Sequence, residues 1–232
     1  MGLLEGEAAL VTGAGGGIGR GVAQALREAG ARVLGSDLRG ADLDFDFLAG
    51  KPAALAEEAV RRLGRVSLLV HCASPRRQET QTALEVTEAQ WREMLEVNLN
   101  AGFLLAQAVA RHMVETATKG RILFITSLHA HTPRKLPHYS AAKAGQTMVV
   151  RELARALGPH GIRVNAIAPG AIPGGGFQAP ADMVEKIPLR RFGTPADVAQ
   201  MALAVLSERF GAYVTGASIV VDGGIALHNW IE

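Results

Sequence analysis

The chain has 232 residues, 48% of them hydrophobic, which is enough to bury one core and suits one domain better than two. Its 24 basic and 22 acidic residues leave a net charge of +2 with both signs interspersed, so no charge run marks a nucleic-acid-binding arm or an acidic tail. One cysteine, Cys72, excludes an intramolecular disulfide, the opening MGLLEGEAALVTG lacks the pattern of a secretory signal, and no apolar run approaches the roughly 20 residues that cross a bilayer. The expectation is a soluble cytoplasmic protein with neither a nucleic acid nor a membrane as partner.

Short apolar runs alternate with segments of helical spacing. ALVTG (9–13) reads as a strand and leads into a helix over 18–29. RVLGSD (32–37) is a second strand, and ADLDFD (41–46), alternating apolar and acidic, a third. KPAALAEEAVRRLG (51–64) is a helix with Pro52 in its first turn. SLLVHCAS (67–74) is a buried strand. Residues 87–113 form one long helix with Thr87 as its cap. RILFITS (121–127) is a strand, 139–157 a helix ended by Gly158-Pro159, and RVNAIAPG (163–170) a strand. Residues 194–207 are a helix capped by Thr194, and ASIVVDGG (217–224) is the seventh strand. Continuous apolar strands separated by helices predict an α/β fold: a doubly wound, mostly parallel seven-stranded sheet with helices on both faces, in one domain. The Gly/Pro-rich stretch 168–183 follows a strand end, where ligands bind in such folds, and predicts a mobile substrate loop at about 170–190.

The turn after the first strand, TGAGGGIGRG (12–21), carries Gly13, Gly15, Gly17 and Gly19 around Ile18. It misses the strict G-x-G-x-x-G dinucleotide pattern but fits Gly13-x-x-x-Gly17-x-Gly19. The physical logic is the same: glycines let the backbone approach a pyrophosphate, and the helix that follows offers free N–H groups and a positive dipole end. The second strand ends at Asp37, an acid suited to accept from ribose hydroxyls and to repel a 2′-phosphate, so NAD is expected ahead of NADP. Position 16 is glycine and offers no basic side chain to such a phosphate. Arg39 reads as a solvated surface residue.

Tyr139 and Lys143 are four apart on a predicted helix and share a face. A free tyrosine, with a pKa near 10, is a poor base at neutral pH; a neighbouring ammonium favours its phenolate. Taken with the glycine turn, WREMLEVNLNAGFLLAQ (91–107), ITS (125–127), YSAAKAG (139–145), RVNAIAPG and VTGASIVVDGG, this pair resembles the classical short-chain dehydrogenase/reductase family over nearly the whole chain. Certain sugar 1-dehydrogenases of that family are similar in Ser-x-His at 127–129, in His138 before Tyr139 and in PGAI. The resemblance implies a Rossmann fold and hydride transfer between a nicotinamide and a secondary alcohol or ketone. It implies that Tyr139 exchanges a proton with the substrate oxygen, that Ser127 hydrogen-bonds that oxygen, that Lys143 binds the nicotinamide ribose and tunes Tyr139, and that Asn98 holds a water in a proton relay. It assigns cofactor contacts to Asp46 (Asp44 with another gap), Ala73, Pro169, Gly170 and Ile172 as well. It also implies a homotetramer or homodimer built on the helices at 87–113 and 139–157, with Trp230 as a further anchor.

Four places depart from the family pattern. HCAS (71–74) stands where Asn-Asn-Ala-Gly is usual. The Ser127–Tyr139 interval is one residue short. Gly174 replaces a frequent threonine, and the segment between the second and third strands is brief. The crowded stretch 127–145 also holds His129, His131 and His138. No carboxylate lies nearby in sequence to support a metal, and there is no Gly-x-Ser-x-Gly elbow for a hydrolase, so no metal is expected. His129 and His138 are candidate readers of a polyhydroxy substrate, because a site must pair its buried polar groups. A 3-oxoacyl-thioester reductase is the alternative within the same chemistry. A non-catalytic dinucleotide sensor is the alternative outside it.

Overall fold

The structure, a computed structural model, describes residues 2–174, 177 and 179–227. Trp230 lies outside the described residues. Seven strands form the sheet: β1 (Ala8–Thr12), β2 (Arg32–Asp37), β3 (Leu43–Asp44), β4 (Leu68–His71), β5 (Arg121–Ile125), β6 (Arg163–Pro169) and β7 (Ser218–Val221). All pairings are parallel, in the order β3-β2-β1-β4-β5-β6-β7. The chain winds outward from β1 to β3, then returns to lay β4 on the other side of β1. The carboxyl ends of β1 and β4 therefore flank the switch point where ligands of doubly wound folds bind.

β1, β4, β5 and β6 are buried along their whole length, which requires cover on both faces. One face is closed by α2 (Pro52–Leu63), α4 (Ala101–Glu115) and α5 (Pro137–Leu157), whose Leu55, Leu105 and Val150 meet Leu10, Leu69 and Phe124. The other is closed by α1 (Gly17–Glu28) and α6 (Pro195–Leu206), whose Val22, Leu26 and Val198 meet Val11, Val70 and Ile167. Helix starts follow local chemistry. Thr87 caps α3 (Glu88–Leu95) and Thr194 caps α6, each in a reciprocal box with Gln90 or Asp197. Each such cap stabilises by about 1 kcal/mol.

Three elements differ from the sequence expectation. The third strand shrinks to Leu43–Asp44, because the Asp42 carboxylate accepts the Gly35 N–H at 2.7 Å and pairs with Arg27 at 2.6 Å; a side chain replaces the ladder there. The fourth strand stops at His71: the Cys72 N–H is shared between the Thr12 carbonyl and hydroxyl, 3.2 Å from each, and the Ala73 N–H goes to that hydroxyl at 3.2 Å. The long helix reaches Glu115 but is interrupted by a π turn over Glu96–Asn100.

The amino ends of the strands are tied by charge. Arg121 opens β5 and Arg163 opens β6; both are buried. Arg121 pairs with Glu7 at 2.9 Å and donates to the Leu206 carbonyl, and Arg163 pairs with Glu208, in α7 (Glu208–Gly211), at 3.0 Å. The other Glu7 oxygen accepts from Ser67, whose hydroxyl accepts the Ala8 N–H. Four neighbouring strands are thus joined at one edge, away from the switch point.

Candidate active site

A cleft of about 400 Å³ opens at the carboxyl edge of the sheet. Gly13, Gly17, Ile18 and Gly19 line it, together with Gly16, which the sequence reading used only as a position without a basic side chain. Backbone geometry requires glycine at positions 13 and 19. Gly13 has φ +71, and a Cβ there would sit 2.8 Å from the Ala73 nitrogen. A Cβ on Gly19 would sit 2.6 Å from the Gly13 carbonyl carbon. Around Gly16 and Gly17 an added Cβ would meet nothing within 4 Å. These two form the open wall at the start of α1, which has no side-chain cap and no acid in its first turn. Unspent N–H groups and an uncompensated helix dipole face the cleft, which is what a pyrophosphate needs. Gly15 differs from the expectation of a direct cofactor contact. It lies outside the lining, its position hard against the Arg39 carbonyl admits no side chain, and its N–H donates to Asp37 at 2.8 Å.

Asp37 lines the cleft, with its second oxygen accepting from Leu38 N at 2.7 Å. Asp46 lines it too and accepts the Leu48 N–H at 2.8 Å; Asp44 is not in the lining. Ala73, Pro169, Gly170 and Ile172 complete the wall, and Gly174 adds to it with φ +124, where a threonine would be strained.

The unusual HCAS block has a definite packing. His71 is fully buried, its ring edge-on between Phe47 and Phe124, both 5.8 Å away centre to centre. Its Nδ1 is 3.0 Å from Thr12 Oγ1. That hydroxyl also accepts from Cys72 and Ala73, and Nε2 has no partner among the described residues. Burial first, then the Lys143 charge, push His71 down to about 3. Burial pushes the Cys72 thiol up to about 12, which leaves it a poor nucleophile.

Ser127 follows β5 and lines the cleft; its hydroxyl accepts the His129 N–H at 3.3 Å. The short connection to Tyr139 is taken up by a tight turn over Leu128–Ala130 and by Lys135 in the left-handed region at φ +63. Helix α5 then starts at Pro137, so Tyr139 stands in its first turn and Lys143 one turn on. Both line the cleft. Lys143 is buried, donates to the free Ile125 carbonyl at 2.9 Å and holds Nζ 5.5 Å from the Tyr139 ring centre. Burial, with Arg77 adding to the effect, lowers its pKa to about 7.

Asn98 sits in the π turn, fully buried and outside the cleft lining. Its Nδ2 donates to Met94 O at 3.0 Å, its backbone carbonyl accepts from Gln146 of α5 at 2.7 Å, and its Oδ1 has no partner among the described residues. Such turns free backbone carbonyls and recur at functional sites. His129 packs edge-on against Tyr139, 5.0 Å between ring centres, with Nδ1 3.3 Å from Ser140 Oγ. His138 corrects an expectation: it is fully buried and outside the cleft lining, its Nε2 3.3 Å from Gln81, so burial removes it from contact with a substrate. Sequence reasoning passed over Arg77, which lines the cleft beside Tyr139. Its position just past β4, at the ligand edge of the sheet, was the available signal.

A family model described as Enoyl-(Acyl carrier protein) reductase matches residues 49–226. The chain is 32% identical to 2-dehydro-3-deoxy-D-gluconate 5-dehydrogenase of Escherichia coli, over 95% of this chain and 96% of that one. It is 32% identical to glucose 1-dehydrogenase 2 of Bacillus subtilis, over 97% and 96%. The crystal structure of a 3-ketoacyl-(acyl-carrier-protein) reductase from Brucella melitensis, complexed with NADH, superposes with a TM-score of 0.90 at 29% identity, covering 96% of this chain and 99% of that one. With a glycine turn opening onto the switch point and Ser127, Tyr139 and Lys143 on one cleft, the chain belongs to the short-chain dehydrogenase/reductases and is an oxidoreductase that acts on CH–OH groups with NAD(P).

Proposed function

We propose that the enzyme interconverts a secondary hydroxyl of a sugar or polyol with its ketone or lactone, using NAD in preference to NADP. The observation that carries this is Lys143, buried beside Tyr139 on a cleft that Ser127 also lines. A bound nicotinamide dinucleotide supplies the hydride acceptor or donor. Tyr139 exchanges a proton with the reacting oxygen, and Ser127 holds that oxygen through its hydroxyl. When Tyr139 gives up its proton, negative charge forms next to Lys143, whose ammonium stabilises it and orients the nicotinamide ribose. Asn98 positions the relay water through its π turn. Asp37 and Asp46 accept from the adenosine side, the α1 amino end and the glycine turn hold the pyrophosphate, and Ile172 takes the carboxamide. His129, outside the cleft lining, backs Tyr139 with a neutral ring.

The NAD preference rests on Asp37, and the sugar preference on the two sugar-directed relatives. The loop at about 170–190 acts as the substrate lid. Exposed Leu104 on α4 and Met148 on α5 support a homodimer or homotetramer built on these helices. No described helix is long and apolar enough to cross a membrane.

The test is a screen of sugars, polyols, secondary alcohols and 3-oxoacyl thioesters, following nicotinamide absorbance with NAD and NADP in parallel. Tyr139→Phe should lose at least about a hundredfold in turnover while keeping cofactor affinity. Survival of activity in that variant would overturn the mechanism. Thioester turnover with NADPH would favour the lipid-synthesis alternative.

A further inference from the structure

One cation of the cleft has no part in hydride transfer. Arg77 lies six residues beyond β4, with its guanidinium carbon 5.1 Å from the centre of the Tyr139 ring and 5.0 Å from that of Phe177. Contact with two ring faces restrains the guanidinium and leaves N–H groups for acceptors. The side chain is only 16% exposed. Its acidic neighbour, Glu79, is loose: 3.8 Å from Nε and 56% in solvent. Among the described residues the guanidinium has no acceptor within hydrogen-bond distance.

Charge is segregated along the cleft. Asp37 and Asp46 stand at the β2–β3 end, and Glu93 shares a groove with Leu48 on that side. The Tyr139 end carries Lys143 and Arg77. Arg134 is also near, but Asp222 offsets it. His129 registers the resulting positive potential: burial first, then Arg77, Arg134 and Lys143, hold it down at about 3. A largely buried cation with unspent donors beside the reacting oxygen is costly unless a ligand completes it. A carboxylate, with two coplanar oxygens, matches a single guanidinium fork.

We propose that Arg77 binds a carboxylate carried by the substrate, so that the enzyme prefers a sugar-derived hydroxy or oxo acid to the neutral polyol of the same skeleton. This deepens the function proposed above and rests on it. The test uses matched pairs of five- and six-carbon aldonates and alditols of the same configuration. kcat and KM are measured for wild type, Arg77→Gln and Arg77→Lys, and binding to the NADH-loaded chain is measured by calorimetry. In wild type the best acid should exceed its neutral partner by about tenfold or more in kcat/KM and in affinity, as expected for a hydrogen bond to a charged group. Arg77→Gln should bring that ratio toward one, chiefly through KM, and Arg77→Lys should restore part of it. Equal preference for acid and alditol in wild type would overturn the proposal. So would an equal fall in kcat for both members, since Arg77 would then act on Tyr139. If no pair turns over yet acids bind in an Arg77-dependent way, the anion site stands and the sugar or polyol reading of the substrate fails.

Discussion

His71→Asn should make the protein markedly less sensitive to mild acid. The wild-type ring is sealed among Phe47, Phe124 and Thr12, where burial disfavours the charged imidazolium. Folding therefore holds His71 near 3, whereas the unfolded chain charges it near 6.5. The sign follows from proton counts. Between these values the unfolded state binds more protons, so the stability His71 contributes is present above about pH 6.5 and drains away as pH falls toward 3. From pH 7 to pH 5 the loss attributable to this ring is about 2 kcal/mol. His129 and His138, held low by burial as well, drain stability over the same window, so the His71 effect is read as the difference between wild type and variant in urea unfolding at pH 7, 6 and 5. Asparagine does not titrate. The variant should start less stable, by loss of ring packing, yet lose about 2 kcal/mol less than wild type across the window. Parallel losses in the two proteins would refute the assignment of a neutral His71.

Two further outcomes follow from the cofactor turn. Gly19→Ala should destabilise by about 1–3 kcal/mol and weaken dinucleotide binding, since the new methyl group must displace the Gly13 carbonyl; Gly16→Ala, facing open space, should unfold like wild type in denaturant titrations. Asp37→Asn keeps an oxygen for Gly15 but removes the charge facing a 2′-phosphate, so the NAD-to-NADP ratio of kcat/KM should fall by about tenfold, and an unchanged ratio would remove Asp37 from cofactor choice.

The strands of this fold and the spacing of Tyr139 and Lys143 were legible because they are local patterns: an apolar run, or two residues one turn apart. What escaped depends on partners distant in sequence or on a change of backbone state without a compositional mark. Nothing in EVNLN distinguishes a π turn from an ordinary α turn, yet that turn carries Asn98. The burial of His138 is set by Gln81, 57 residues earlier. The placement of Gly15 is set by the chain after β2, which packs where its side chain would be. Arg77 gained its place only when Tyr139 and Phe177, both far downstream in the sequence, closed on it.

The clamp of Glu7, Arg121, Arg163 and Glu208 lies at the edge of the sheet that the substrate never visits. It holds β1, β4, β5 and β6 in register without drawing on the loops at the opposite edge. Those loops are therefore free to diverge: an insertion after β6, or a new residue at position 77, alters what is read without loosening the frame that presents it. Damage to the two edges should look different in a cell. Variants at the clamp would lower the amount of enzyme, and variants at the mouth would change its diet.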